Sequence, residues 1–275
     1  MASGADEGPG AARVVADTHV HIYPCYDLAV ALRCLADNLG RTIAGAHAAF
    51  LAERRDCNAF AALRDGAVLP PTSGLAVRTL PEPGALLLIA GGGAPVHLFA
   101  GRQLVTAERI EVLALLLEDA PPEGLDAGRT IEAILVAGGI PVLGWSPGKW
   151  WGGRGRLARG LLARFGDSLL LGDTALRPAG SPEPPLMRET RRRGGGVIAG
   201  TDPLPCPGEE RLLGSYASVL TGSIDPKRPL ESARQLLRSA TSQTGTTGTR
   251  STWAAAVRRW LRNARISHCS AGSGR

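Results

Sequence analysis

Three short apolar runs, at residues 140–145, 168–172 and 196–200, end at Trp145, Asp173 and Asp202, so their ends fall 28 and then 29 residues apart. Helix-compatible segments fill the gaps at 156–165 and 186–193. A strand, loop and helix recurring at about 30 residues is what a parallel sheet or barrel generates, because each crossover must return to the same edge. The units share no sequence identity, so the rhythm is architectural and confines the second half of the chain to an α/β fold.

The first half is punctuated differently. Residues 13–17 form a short apolar run that ends in a polar cluster, the pattern of a buried strand delivering side chains at its C-terminal end. Apolar residues at helical spacing (Leu28, Ala31, Leu32, Leu35, Leu39) predict a helix over 27–39, and a similar pattern predicts another over 44–63. Between 74 and 106, runs at 75–80, 85–90, 96–100 and 103–105 are separated by Pro-Glu-Pro-Gly and Gly-Gly-Gly, which suits a β-meander insertion. A helix is expected over 107–117, with Thr106 as its N-cap and a glutamate in its first turn.

Towards the end, a helix is expected over 230–240, a flexible Ser/Gly/Thr linker over 242–249 and an amphipathic segment over 251–264. The last six residues read as disordered. The expected organisation is a flexible lead at 1–12, a body at 13–240 and a basic, partly helical tail at 241–275.

Composition limits the function classes. With 44% hydrophobic residues, the 275-residue chain is core-forming; it contains no apolar run long enough to span a membrane and no basic, apolar start of a secretory kind. Its five cysteines are odd in number, scattered and free of any Cys-x-x-Cys pair, which argues against a disulfide framework or zinc ribbon and fits a reducing cytoplasm. The net charge of +6 divides into +9 from Lys227 onward and −3 before it, so the basicity belongs to the tail. That tail could contact acidic lipid, nucleic acid or a partner groove, or pack its tryptophans on the body and leave its arginines solvated.

Two stretches carry possible chemistry. In Asp17-Thr18-His19-Val20-His21, residues two apart on an extended chain point to one side, so the imidazoles of His19 and His21 can face one point. Two neutral imidazoles converging there make half a site for a divalent transition metal, unless they are simply polar residues of a loop. Asp17 could accept a ring proton from one of them or shape the turn. The second stretch, 145–155, sets tryptophans and a lysine in a glycine-rich loop at a strand end. Trp145 and Trp150 could wall a planar or anionic substrate, with Lys149 as a point charge and Arg154 as a bidentate fork; alternatively the tryptophans pack the loop onto the rim. No P-loop exists, and the triple glycines at 91–93 and 194–196 lack dinucleotide-fingerprint spacing.

Asp17-Thr18-His19-Val20-His21 resembles the first metal-binding motif of the amidohydrolase, TatD-like and PHP-like metal-dependent hydrolases, and Gly200-Thr201-Asp202-Pro203 resembles their closing Gly-Thr-Asp element. The resemblance implies a distorted TIM-barrel-like fold with metal at the C-terminal ends of the strands, held by His19, His21 and Asp202. The usual middle-strand histidines are missing, since only His47, His97 and His268 remain. Carboxylates would have to substitute, Asp173 first, then Glu108 and Glu111.

The leading expectation is therefore a hydrolase activating water on a divalent cation, zinc or manganese, to cleave an amide, lactone or phosphoester bond of a small, possibly anionic substrate. Asp202 would relay the proton and Lys149 would stabilise developing charge. The alternative expectations are a degenerate barrel that binds a ligand or protein, and an accessory protein acting through its basic tail.

Overall fold

The computed structural model describes residues 12–119 and 121–272; apart from Ala12, the expected flexible lead lies outside the described residues, as do the last three of the C-terminal run. The chain opens with β1 (Arg13–Val20), α1 (Leu28–Gly40), β2 (Ala46–Leu51) and α2 (Ala59–Arg64). Asp27 starts α1, its side chain accepting from the Val30 N–H at 3.0 Å. The expected helix over 44–63 is instead β2 followed by α2. β2 lies between two parallel neighbours and is buried on both faces, so it presents a continuous apolar run in which strand and helix cannot be told apart by period.

Next come β3 (Leu75–Thr79), β4 (Ala85–Ala90), β5 (Val96–Phe99), β6 (Gly101–Val105) and β7 (Glu111–Leu115). β3, β4 and β5 pair antiparallel in succession, as a meander does, whereas β6 leaves for a second sheet. The helix expected over 107–117 is a hairpin turn and β7. Thr106 serves the turn: its hydroxyl and carbonyl accept from Ile110 and Arg109 respectively, and Arg109 takes a left-handed φ of 60°.

The rest follows the α/β rhythm: α3 (Ala127–Val136), β8 (Ile140–Gly144), α4 (Gly152–Phe165), β9 (Leu170–Thr174), α5 (Pro185–Arg192), β10 (Val197–Gly200), β11 (Tyr216–Thr221) and α6 (Pro229–Arg238). The expected linker contains β12 (Gly245–Gly248), which pairs antiparallel with β11, and α7 (Trp253–Gly272) ends the described chain.

Two mixed sheets result, one of seven strands in the order β12-β11-β1-β2-β5-β4-β3, the other of five in the order β10-β9-β8-β7-β6. They enclose one core, in which Val14, Phe50 and Phe99 of the first meet Leu113, Val142, Leu170 and Ile198 of the second. α1 covers the outer face of the first sheet, while α3, α4 and α5 cover that of the second. Leu236 and Leu237 of α6 enter the shared core where the parallel strands begin, leaving the strand ends free for a site.

The expected closed TIM-type barrel is not what forms. Among the described residues no backbone ladder joins β10 to β1; the Thr18 hydroxyl donates to the Ala199 carbonyl at 3.0 Å and the Asp202 N–H to the His19 carbonyl at 2.9 Å across that seam, while the Ala199 N–H donates to the Ser218 hydroxyl of β11 at 2.6 Å. On the opposite seam a single bridge, Glu53 with Arg102, links the end of β2 to β6. Gly200 makes the first seam possible: a Cβ there would stand 2.3 Å from the His19 nitrogen and 2.6 Å from its Cβ.

Candidate metal centre

The site sits where β1 and β10 end. The pairing of β1 with β2 shifts between Asp17 and Val20, a bulge that twists the strand end and re-aims its last side chains. Asp17 fixes this turn. Its carboxylate accepts from the backbone N–H groups of His19 at 3.2 Å, Thr201 at 2.8 Å and Gly214 at 2.9 Å, and from the Thr201 hydroxyl. Burial raises its pKa against the pull of those bonds. Asp17 therefore shapes the turn and does not orient an imidazole; the Nδ1 atoms of His19 and His21 are buried with no partner among the described residues.

Asp202 follows β10 in a left-handed conformation, φ 49°, which a short polar side chain tolerates better than a bulky one. Its N–H donates to the His19 carbonyl at 2.9 Å, tying the two strand ends together. The donor atoms then converge. His19 Nε2 lies 3.0 Å from His21 Nε2 and 3.5 Å from Asp202 Oδ1, and His21 Nε2 lies 3.6 Å from that same oxygen. For bonds of 2.0–2.2 Å, the edges of a tetrahedral ligand set measure about 3.3–3.6 Å. The three groups fit one cation, with the imidazole pair slightly inside that range. Burial holds the His21 pKa below its usual value despite the Asp202 carboxylate, which favours the neutral form that a metal ligand needs. Burial alone would raise the Asp202 pKa, but His19, His21 and Arg259 together hold it below the usual carboxylate range. Tyr23 stacks on His21 at 5.2 Å and closes one side of the site.

The other sequence candidates scatter. Asp173 stays out of the cluster: Arg177 grips its carboxylate from Nε at 2.7 Å and Nη2 at 2.6 Å, and the Tyr216 hydroxyl donates to it at 2.9 Å. Lys149 pairs with Glu111, whose carboxylate is near enough to His21 to favour its charged form. Trp145 and Trp150 are half-buried against the core under α3 and α4, and they line a separate groove of about 390 Å³ with Trp151 and Arg159. Arg154 is exposed in the first turn of α4 and donates to the Gly148 carbonyl of the preceding loop at 3.4 Å. Glu108 caps α3 by accepting from the Ala127 N–H at 3.0 Å.

Gln103 escapes sequence reasoning. Its Oε1 lies 3.3 Å from His19 Nε2, and the residue is buried. The only signal is a polar residue at an inward position of a short apolar strand. Gln103 and Glu111 also line a cleft of about 570 Å³ with Arg54, Arg55, Asp56 and Glu123, so an opening of mixed charge adjoins the centre. The tail contributes from behind: Arg259 of α7 donates to Glu209 from Nε at 3.0 Å and Nη2 at 2.6 Å, and Glu209 accepts from the Leu204 N–H at 3.1 Å, two residues past Asp202. Arg262 donates to the Pro207 carbonyl, so these two arginines are used within the protein.

No protein-family model matches the chain, and no curated protein matches it. Solved structures do. PsfC from Pseudomonas syringae PB-5123 is similar at 17% identity with a TM-score of 0.55, over 93% of this chain and 99% of that one. A two-domain protein from Bacteroides vulgatus ATCC 8482, described as containing a predicted PHP-like metal-dependent phosphoesterase, aligns at 12% identity and a TM-score of 0.49, over 87% of this chain and 66% of its own. The lesion-specific endonuclease PfuEndoQ from Pyrococcus furiosus aligns at 12% identity and a TM-score of 0.47, over 82% and 56%. At such identity the likeness to PsfC is one of fold.

Proposed function

We propose that the chain is a metal-dependent hydrolase in which His19, His21 and Asp202 hold one divalent cation, zinc or manganese. The observation that carries this reading is a shortage of protons. His19 Nε2 lies 3.0 Å from His21 Nε2, 3.3 Å from Gln103 Oε1 and 3.5 Å from Asp202 Oδ1; two neutral imidazoles can bring at most one proton each to these four atoms, and placing both on Nε2 would set two N–H groups against each other at 3.0 Å. A buried group of lone pairs aimed at one another is costly unless a cation sits between them. A divalent cation bound there supplies a Lewis acid and lowers the pKa of water toward about 7.

The chain's own residues do the rest. Asp202, held ionised, takes a proton from the attacking water and passes it to the leaving oxygen. Tyr23 and the buried seam keep bulk water from the far side of the imidazoles. Arg54 and Arg55 offer the cleft's cationic groups to an anionic part of the substrate, beside Asp56, Glu111 and Glu123, while Lys149 is held by Glu111. Of the amide, lactone and phosphoester bonds, the phosphoester is the one whose charge a divalent cation and these two arginines would hold both before and during attack.

The test is the metal content of untagged protein and its release of p-nitrophenol from p-nitrophenyl phosphate and from bis-p-nitrophenyl phosphate with zinc or manganese. We expect about one cation per chain in the wild type and none in His19→Ala/His21→Ala, with activity lost in parallel. A wild type that takes up no stoichiometric cation under any loading condition overturns the proposal. A second reading, a cation-holding fold that binds a ligand or protein without turnover, draws on one observation: among the described residues no other group of His, Cys, Asp or Glu completes a second metal position. Bound cation without turnover on either ester would favour it.

A further inference from the structure

We infer that Gln103 supplies the fourth donor to the cation, through its side-chain oxygen; this rests on the metal reading above. The position is fixed from both sides. Gln103 pairs with Leu113 in the ladder of β6 and β7, and its backbone N–H donates to the Glu53 carbonyl at 2.9 Å across the seam with β2. Neighbouring side chains alternate away from it, Arg102 donating to the Cys57 and Glu118 carbonyls at 2.8 and 3.0 Å. Gln103 consequently points inward, buried, with its oxygen 3.3 Å from His19 Nε2. That separation is an edge of a tetrahedron drawn for bonds of 2.0–2.2 Å. The other edges at His19 Nε2, to His21 and Asp202, are 3.0 and 3.5 Å.

The chemistry of the amide distinguishes this centre from one built with another carboxylate. Two neutral imidazoles, one carboxylate and one amide carry a single negative charge, so the cation keeps part of its positive charge for an anionic substrate. An amide oxygen is also a weaker donor than a carboxylate, so the affinity is lower and tunable at this one position. Gln103 also lines the cleft of Arg54, Arg55, Asp56, Glu111 and Glu123, so the same side chain joins the centre to that opening.

The experiment titrates metal-free full-length protein with zinc, and separately with cobalt(II), following the visible absorption of the cobalt form. Wild type, Gln103→Ala, Gln103→Met and Gln103→Glu are compared, with the melting temperature of each metal-free variant as the control for folding. Gln103→Met keeps the volume and removes the oxygen. We expect Gln103→Ala and Gln103→Met to bind zinc about 10- to 100-fold more weakly with altered cobalt absorption, the loss typical when a group supporting a metal is removed. Gln103→Glu should bind at least as tightly as wild type. Wild-type affinity and an unchanged cobalt spectrum in Gln103→Met would overturn the assignment while leaving the His19, His21 and Asp202 centre intact. A wild type that binds neither ion would instead sink the metal reading itself, and the assignment with it.

Discussion

At the scale of single residues, the site depends on one absent side chain as much as on three present ones. Gly200→Ala would place a methyl against the His19 backbone and Cβ, neither of which can rotate away. Overpacking of this kind costs about 1–3 kcal/mol, and it would push the β1 end off the loop of Asp202. We expect a lower urea midpoint together with weaker zinc binding; a midpoint loss with unchanged zinc affinity would show that the seam and the centre are independent. A second residue-level expectation concerns pH. Burial lowers the pKa of both His47 and His97, away from the site on β2 and β5. As pH falls below about 6.5, the unfolded chain takes up protons before the folded one, so stability is complete above that value and declines below it. Urea midpoints should fall between pH 8 and 5, and His47→Gln/His97→Gln should reduce the fall, leaving the share due to His21. Residue-level legibility divides along chemical lines. The pair His19 and His21 is visible in the sequence because period-two geometry is local, and Asp202 through its surrounding motif. Gln103 is invisible there because an amide in a strand has no spacing rule, and Asp173 misleads because Arg177, four residues on, claims its carboxylate.

At the scale of elements, the differences between expectation and structure share one cause. β2 and β7 read as helices because short, fully buried apolar runs carry no alternation, and a glutamate after a threonine looks like a capped first turn. Helices with one wet face are legible, as α1 and α6 show. α7 carries the element-level prediction. Its Arg259 and the Glu209 it grips are both buried, and the ion pair anchors the loop two residues past Asp202. Arg259→Ala leaves a buried carboxylate unpaired, a loss of about 3–5 kcal/mol. Denaturant unfolding should show that loss, and Arg259→Lys should recover little of it, since an ammonium cannot reproduce the fork. Full stability in Arg259→Ala would mean the strap is incidental.

At the scale of the whole molecule, the strand rhythm of the second half is legible in the sequence but the closure is not. Periodicity reports crossovers, whereas closure depends on whether β1 and β10 form a ladder, and here the Thr18 hydroxyl and the Asp202 N–H make isolated bonds across the seam instead. Sequence charge also separates the tail from the body, while the structure joins them. β12 extends β11, the Ala179 N–H donates to the Ser251 carbonyl and the Ser251 N–H to the Ala175 carbonyl, each at 2.8 Å, and Trp260 packs beside Leu176, Leu204 and Cys206. A tail held by backbone pairing, a buried ion pair and apolar contact belongs to the cooperative unit. Removing residues 241–275 exposes the edge of β11 and frees the loop of Asp202 together. The truncated protein should therefore melt at a lower temperature, and any fraction that remains folded should bind zinc more weakly than the full chain. A truncated body with unaltered melting temperature and zinc affinity would restore the tail to the status of an independent appendage, and its basic charge would then call for an acidic partner.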